Sequence, residues 1–397
     1  MRLGLRVLCA VALAGCSASP TPVESRSRVH PTDRTFDTPG GRPDRRATFD
    51  PRLISERVDA LFTARLATVG IPVDGVSRAS DAVHPDIACP PDSWNGSRCW
   101  LMYTPYKNSD PAVENPGFLR AASDTTWVTP SEVTNPIVAY PGTVGYNSDP
   151  DHAYDPTTHR LVQVYRVVSG AYNNIMIMST ADAKHWTTPR VAFKELNHDA
   201  VSPALIIEPN RVAKIWYVKA GAAGCSATAS DIELRTAMPD AQDRYEHGNW
   251  SRPTVVNLVI PGYVPWHLDV IAVGGDFHYL ALIAAYPRAT NCATSDLWLA
   301  SSLDGVNWHT YAMPVLWRAM LTAKNRKLST WYRGTLRYSA ETDSLDLWPS
   351  ALSKTTWTVY HAAVKLSDLL GLLDAVKPGD FKPSFNEVAN ALPGRMP

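Results

Sequence analysis

The chain has no surplus of charge. Its 397 residues carry 38 basic and 38 acidic side chains, a formal net charge of +0. Without an electrostatic footprint, neither nucleic acid nor an anionic membrane surface is expected as a partner. The apolar run near the start, Leu8 to Ala14, is too short to cross a bilayer as a stable helix. Cysteine is scarce at 6 residues. No tight Cys or His ligand spacing is present, so no metal and no cofactor is expected. His84, His152 and His267 are the residues that could meet around a metal, and a calcium or halide ion on a central axis is compatible with the pattern.

Apolar residues make up 45% of the chain, enough for a substantial core. Trp at 13 and Tyr at 16 are numerous. One short pattern returns. His84-Pro85-Asp86-Ile87, Ser148-Asp149-Pro150-Asp151, Val201-Ser202-Pro203-Ala204 and Trp266-His267-Leu268-Asp269 each open an apolar strand, a turn and an aromatic second strand. Asp86, Asp151, Ala204, Asp269 and Thr335 mark the strand starts, about 65, 53, 65 and 66 residues apart. A second marker keeps step: Trp127, Trp186, Trp250 and Trp308 each close a polar turn. Repeats of this size, made of strand and turn, predict the blades of an all-β, five-bladed β-propeller over residues 82–364. The fifth unit lacks the outer Trp turn. Its last strand should come from the segment before His84, closing the ring and removing sheet edges.

The flanks read differently. Residues 1–16 resemble an export signal ending in a bacterial lipobox, Leu13-Ala14-Gly15-Cys16, with Cys16 as the lipidated residue. Residues 17–50 are rich in Pro, Ser, Thr and Arg and read as a flexible tether. Residues 51–81 supply a short amphipathic helix between Pro51 and Gly70, expected beneath the propeller, and the closing segment, with Ile71 to Ala82 expected to feed the closing strand. Residues 365–397 give a C-terminal helix and tail. The expected protein is therefore exported, a monomer, and tied to a bacterial membrane only through its lipid. Apart from Cys9 and Cys16, four cysteines remain. In an exported chain they pair as Cys89 with Cys99 and Cys225 with Cys292.

Side chains alternate along a strand, so His84 with Asp86, Asp149 with Asp151, and His267 with Asp269 are same-side pairs. A propeller brings them to one axis. Carboxylates gathered there raise at least one pKa, as acid–base cleavage of a glycosidic bond requires. The blade-three strand offers no acid, so Glu114 or Asp199 becomes the candidate for the missing carboxyl. For any one Asp, capping of its own backbone is the structural alternative. Second strands end in Tyr106 with Lys107, Tyr165 with Arg166, Tyr217 with Lys219 and Tyr286 with Arg288. Those groups suit a rim for sugar hydroxyls or a uronate.

These blade starts resemble those of the five-bladed propeller glycosidases, the family-43 glycoside hydrolases and the related family-32 invertases, over about residues 82–364. The resemblance implies Asp86 as general base and Asp149 as the residue that tunes the acid. The family's blade-three Glu is absent, since Val201-Ser202-Pro203 stands there. Glu114 is the expected acid in its place. His84, Asp151, Arg166, Lys107, His267, Asp269 and Arg333 are the expected substrate-binding residues. The expectation is a glycoside hydrolase acting on a polysaccharide or oligosaccharide, with a non-catalytic carbohydrate-binding propeller, or one binding protein partners through its rim, as the alternatives.

Overall fold

The computed structural model describes residues 51–381, except 74–75, 79–80, 142–144, 275–276, 321–327 and 379. Cys16, the signal, the tether and most of the C-terminal tail lie outside the described residues. The chain begins with α1 (Pro51–Thr63), β1 (Ala67–Thr68) and a small hairpin of β2 (Ile71–Val73) and β3 (Val76–Arg78). Blade one follows with β4 (Ala82–Ala88), β5 (Trp100–Pro105), β6 (Gly117–Ala121) and β7 (Trp127–Val128). Blade two holds β8 (Tyr146–Asp155), β9 (Arg160–Ser169), β10 (Tyr172–Thr180) and β11 (Arg190–Leu196). Blade three holds β12 (Val201–Ile207), β13 (Ala213–Lys219), β14 (Asp231–Ala237) and β15 (Thr254–Val255). Blade four holds β16 (Tyr263–Ala272), β17 (Tyr279–Pro287), β18 (Asp296–Ser302) and β19 (Trp308–Thr310). Blade five has β20 (Thr330–Ser339), β21 (Ser344–Ser353) and β22 (Thr356–Lys365), and α2 (Leu366–Leu373) follows.

Each blade is a four-stranded antiparallel sheet, and the five-bladed propeller expected from the repeat is the observed fold. Blade five takes its outer strand from the N-terminal side: Ala67 pairs with His361 and Thr68 with Tyr360. The closing strand thus comes from before His84, as expected, but from Ala67–Thr68, just after α1, and not from the stretch Ile71 to Ala82, which forms the small hairpin and leads into β4. The outer Trp residues pack into the gaps between blades. Trp186 meets Phe118 of blade one at 5.2 Å, Trp250 meets Phe193 of blade two at 6.2 Å, and Trp308 meets Trp216 of blade three at 6.3 Å. Trp127 is buried in one cluster with Val69 and Trp348.

The apolar stripe of α1 (Ile54, Val58, Phe62) packs with Leu366, Leu369 and Leu373 of α2 against Leu280, Leu297 and Leu347. Both cysteine pairs are bonded, Cys89–Cys99 and Cys225–Cys292. The second bond joins the loop after β13 to the loop after β17, so it staples blades three and four.

Every innermost strand breaks register near its start. The irregularities fall between Val83 and Asp86, Ser148 and Asp151, Val201 and Ala204, Pro265 and His267, and Trp331 and Gly334. At three of them the chain turns left-handed at non-glycine residues: His84 (φ 51), Asp149 (φ 51) and Ser202 (φ 55). L-residues seldom adopt that conformation, and it concentrates at functional sites. In blades one to three the bulge re-aims the side chains just before the marker residues. His84, Asp149, Ser202, His267 and Arg333 thus occupy equivalent positions, two residues ahead of Asp86, Asp151, Ala204, Asp269 and Thr335.

Candidate functional site

Two stacked groups form at the axis, one from each set of equivalent positions. The Asp86, Asp151 and Asp269 carboxylates place oxygens within 4.8 Å of one another, all buried. An innermost strand has no neighbour on its axial side, and these carboxylates answer its orphan N–H groups. Asp86 accepts from His152 N at 2.6 Å, Asp151 from Leu205 N at 2.8 Å and Asp269 from Leu336 N at 3.0 Å. In each case the donor belongs to the following blade. Blade three has Ala204 at this position, and there Ser202 Oγ takes over, bonding the backbone of Leu268. Arg333 completes the group, with Nη2 2.6 Å from Asp151 Oδ2 and 3.1 Å from Pro203 O. Burial first, then mutual repulsion, pushes Asp86 and Asp151 well above the carboxylate range, and Arg333 opposes this. Asp86 also binds the His152 imidazole, and Thr335 Oγ1 lies 3.4 Å away. The carboxylate expected as general base is therefore a fastener between blades one and two, occupied by backbone and imidazole donors.

The other group is chemically different. His84 Nε2 lies 3.2 Å from Asp149 Oδ1, and His267 Nδ1 lies 3.6 Å from the same oxygen. All three residues are buried, and their ligand atoms fall within 4.8 Å of one another. His84 Nε2, Asp149 Oδ1 and both His267 nitrogens have no hydrogen-bond partner among the described residues. Buried polar atoms without partners are rare and need a reason. A tetrahedral divalent cation with bonds of about 2.0–2.2 Å has ligand edges of about 3.3–3.6 Å, close to the two spacings seen. Two imidazoles and one carboxylate are a fitting donor set for such an ion. The sequence suggested His152 as the third histidine. It instead turns away from this group to bind Asp86, and Asp149 stands in its place.

The surroundings favour that role. His84 Nδ1 is 2.9 Å from Thr104 Oγ1 and 3.3 Å from Glu114 Oε2, which directs the Nε2 lone pair inward. Arg166 Nε is 3.1 Å from Asp149 Oδ2 and 3.0 Å from Ser148 Oγ, so Asp149 turns its other oxygen to the histidines. Burial would raise the Asp149 pKa, but Arg166, His84, His267 and Arg333 together hold it far below the ordinary range. Burial lowers His267 well below the usual imidazole value, against the pull of Asp149. Glu114 moves the other way: burial raises it and His84 only partly compensates. The site thus holds a fixed carboxylate, a neutral imidazole and a carboxyl group shifted toward neutrality.

The structure brings together Asp149, Glu114, His84, His267 and Arg166. Asp86, Asp151, Asp269 and Arg333 form the neighbouring structural group, and Lys107 is exposed in the loop after β5. Tyr332 was missed as a site residue. Its ring packs 5.4 Å from His84 and 4.3 Å from His267. Its place one residue before Arg333 at the fifth strand start was the signal that could have found it.

No family model matches the sequence. The chain is 25% identical over 328 residues to the A type blood N-acetyl-alpha-D-galactosamine deacetylase of Flavonifractor plautii. The match covers 70% of this chain and 41% of the relative, so the chain spans less than half of that relative's length. In structure it is similar to an N-acetylgalactosamine deacetylase from F. plautii solved in complex with blood group B trisaccharide. The TM-score is 0.69 at 22% identity, covering 79% of this chain and 98% of that one. A thermostable family-43 glycoside hydrolase superimposes with a TM-score of 0.52 at 13% identity, over 75% of this chain and 92% of that one. The likeness to these structures is one of fold.

Proposed function

We propose that the protein is a metal-dependent deacetylase of N-acetylated sugar residues. The observation that carries this reading is the trio of buried, unpartnered ligand atoms on His84, Asp149 and His267. The similarity to a sugar deacetylase supports it. A divalent cation held by the three would supply polarisation of an acyl carbonyl and an acidified water. The chain's own residues then have defined tasks. Arg166 and the His84–Glu114 contact orient the ligand atoms. Glu114, with its affinity for protons raised, takes a proton from water and returns it to the departing nitrogen. Both contacts of Glu114 with His84 and Thr104 fall on Oε2, which leaves Oε1 to face the water. The water oxygen bonds the acyl carbon, the C–N bond breaks, and acetate and a free amino sugar result.

A second reading, glycoside hydrolysis, keeps one observation in its favour. Glu114 is shifted up and Asp149 down, as an acid and a partner carboxylate require. One assay separates the two. Metal-loaded protein is offered oligosaccharides ending in N-acetylgalactosamine or N-acetylglucosamine, and released acetate and released sugar are both measured. Acetate release lost in Asp149→Asn supports the deacetylase. Sugar release without acetate, unaffected by chelators, would overturn it.

Export and attachment through Cys16 belong to the same proposal. Two disulfides suit an oxidising compartment, and no helix among the described residues is long and apolar enough to cross a membrane.

A further inference from the structure

Arg166 is buried at 5% exposure, and one edge of its guanidinium is fully engaged. Nε meets Ser148 Oγ and Asp149 Oδ2, and Nη2 lies 3.4 Å from Tyr146 Oη. These contacts suffice to orient Asp149. Nη1 contributes to none of them and has no partner among the described residues, although it too is buried. A positive nitrogen with two unused donors, shut away from water beside a proposed reaction centre, is incomplete without an acceptor. Its neighbours are Glu114, Asp149, Tyr146 and Tyr332, and the first two are already committed to His84 and the ligand set.

We infer that Arg166 presents Nη1 to the ligand, and that the ligand places a negatively charged oxygen there. Resting on the deacetylase reading, that oxygen belongs to the acyl group. Hydrolysis turns a neutral amide into a carboxylate, and the new charge arises beside the guanidinium. Arg166 is then a catalytic residue that holds the acyl oxygen as charge develops, and it makes acetate a retained product. A charged hydrogen bond of this kind is stronger than a neutral one, so the site should prefer acetate over its uncharged isostere acetamide.

The test is equilibrium binding by titration calorimetry on the full chain, with one equivalent of zinc and without metal. Acetate and acetamide are titrated into wild type, Arg166→Lys and Arg166→Gln, with metal content and melting curves recorded for each. The expected result has two parts. Zinc-loaded wild type binds acetate at least tenfold more tightly than acetamide. Both variants bind acetate at least tenfold more weakly than wild type. Acetate binding within twofold of wild type in the variants, or no preference over acetamide in the wild type, overturns the inference. If the variants lose zinc, or if wild type takes up none, the metal-free titrations decide Arg166 by the same criteria. Absence of zinc from wild type counts against the metal reading alone.

Discussion

Glu114 and Asp149 share one buried site and are driven in opposite directions. The cause of each shift fixes what a substitution does. Asp149 is kept ionised chiefly by the Arg166 guanidinium, so Asp149→Asn should abolish metal uptake, read directly by metal analysis. Glu114→Gln should leave bound metal in place and lower kcat by about 10²–10⁴-fold, the range for loss of a general base. Because burial raises Glu114 and the base form is the active one, kcat/KM should climb with pH on an acid limb above the ordinary Glu range. That limb should vanish in Glu114→Gln, which a pH–rate profile checks. At this scale the sequence was half legible. The same-side rule gathered His84 with Asp86 and His267 with Asp269. It could not see that His84, Asp149 and His267 gather in one group and Asp86, Asp151 and Asp269 in another, with a bulge falling between the two positions in blades one and two. Nor could it assign Asp86 to the His152 backbone, because that bond joins residues of different blades.

Strands and their closures were far more legible than bulges. The returning strand-start motif and the Trp-closed polar turns located the blades, and the missing outer Trp turn of the fifth unit pointed to a closing strand from the segment before His84. The disulfides were legible too, Cys225–Cys292 from matching positions in neighbouring repeats and Cys89–Cys99 from its place on either side of one hairpin turn. Their energetic weights differ. In the chain-entropy model a bridge spanning 67 residues is worth about 4 kcal/mol and one spanning 10 about 3 kcal/mol. The longer bridge also ties together two loops that leave the site-bearing end of blades three and four. Cys225→Ser with Cys292→Ser should therefore lower the denaturant midpoint more than Cys89→Ser with Cys99→Ser. A paired equilibrium-unfolding series measures that difference.

The whole molecule carries its own acid sensitivity. His152 is buried, and burial pushes it down to about 3 from an ordinary 6.5. The folded form then binds fewer protons than the unfolded one below pH 6.5, so stability is present above that value and is lost as pH falls toward 3. For one such group the loss by pH 4 is about 3 kcal/mol. Asp86 and Asp151, raised by burial, act in the opposite sense, adding stability at low pH that is lost as pH rises through their elevated values. His152→Gln should narrow the stability gap between pH 7 and pH 4. Urea unfolding at the two pH values tests this, and an unchanged gap would show that other groups dominate.

The pairing of β1 with β22 has a further consequence. The chain's first strand lies beside its last, and α1 rests against α2. The polypeptide is in effect a loop cut at an arbitrary point. A circular permutant, with a short bridge from the end of α2 to the start of α1 and new termini in the exposed turn between β8 and β9, keeps every blade and the fasteners between them. It should fold to the same ring of five sheets, because nothing in the ring depends on where synthesis starts.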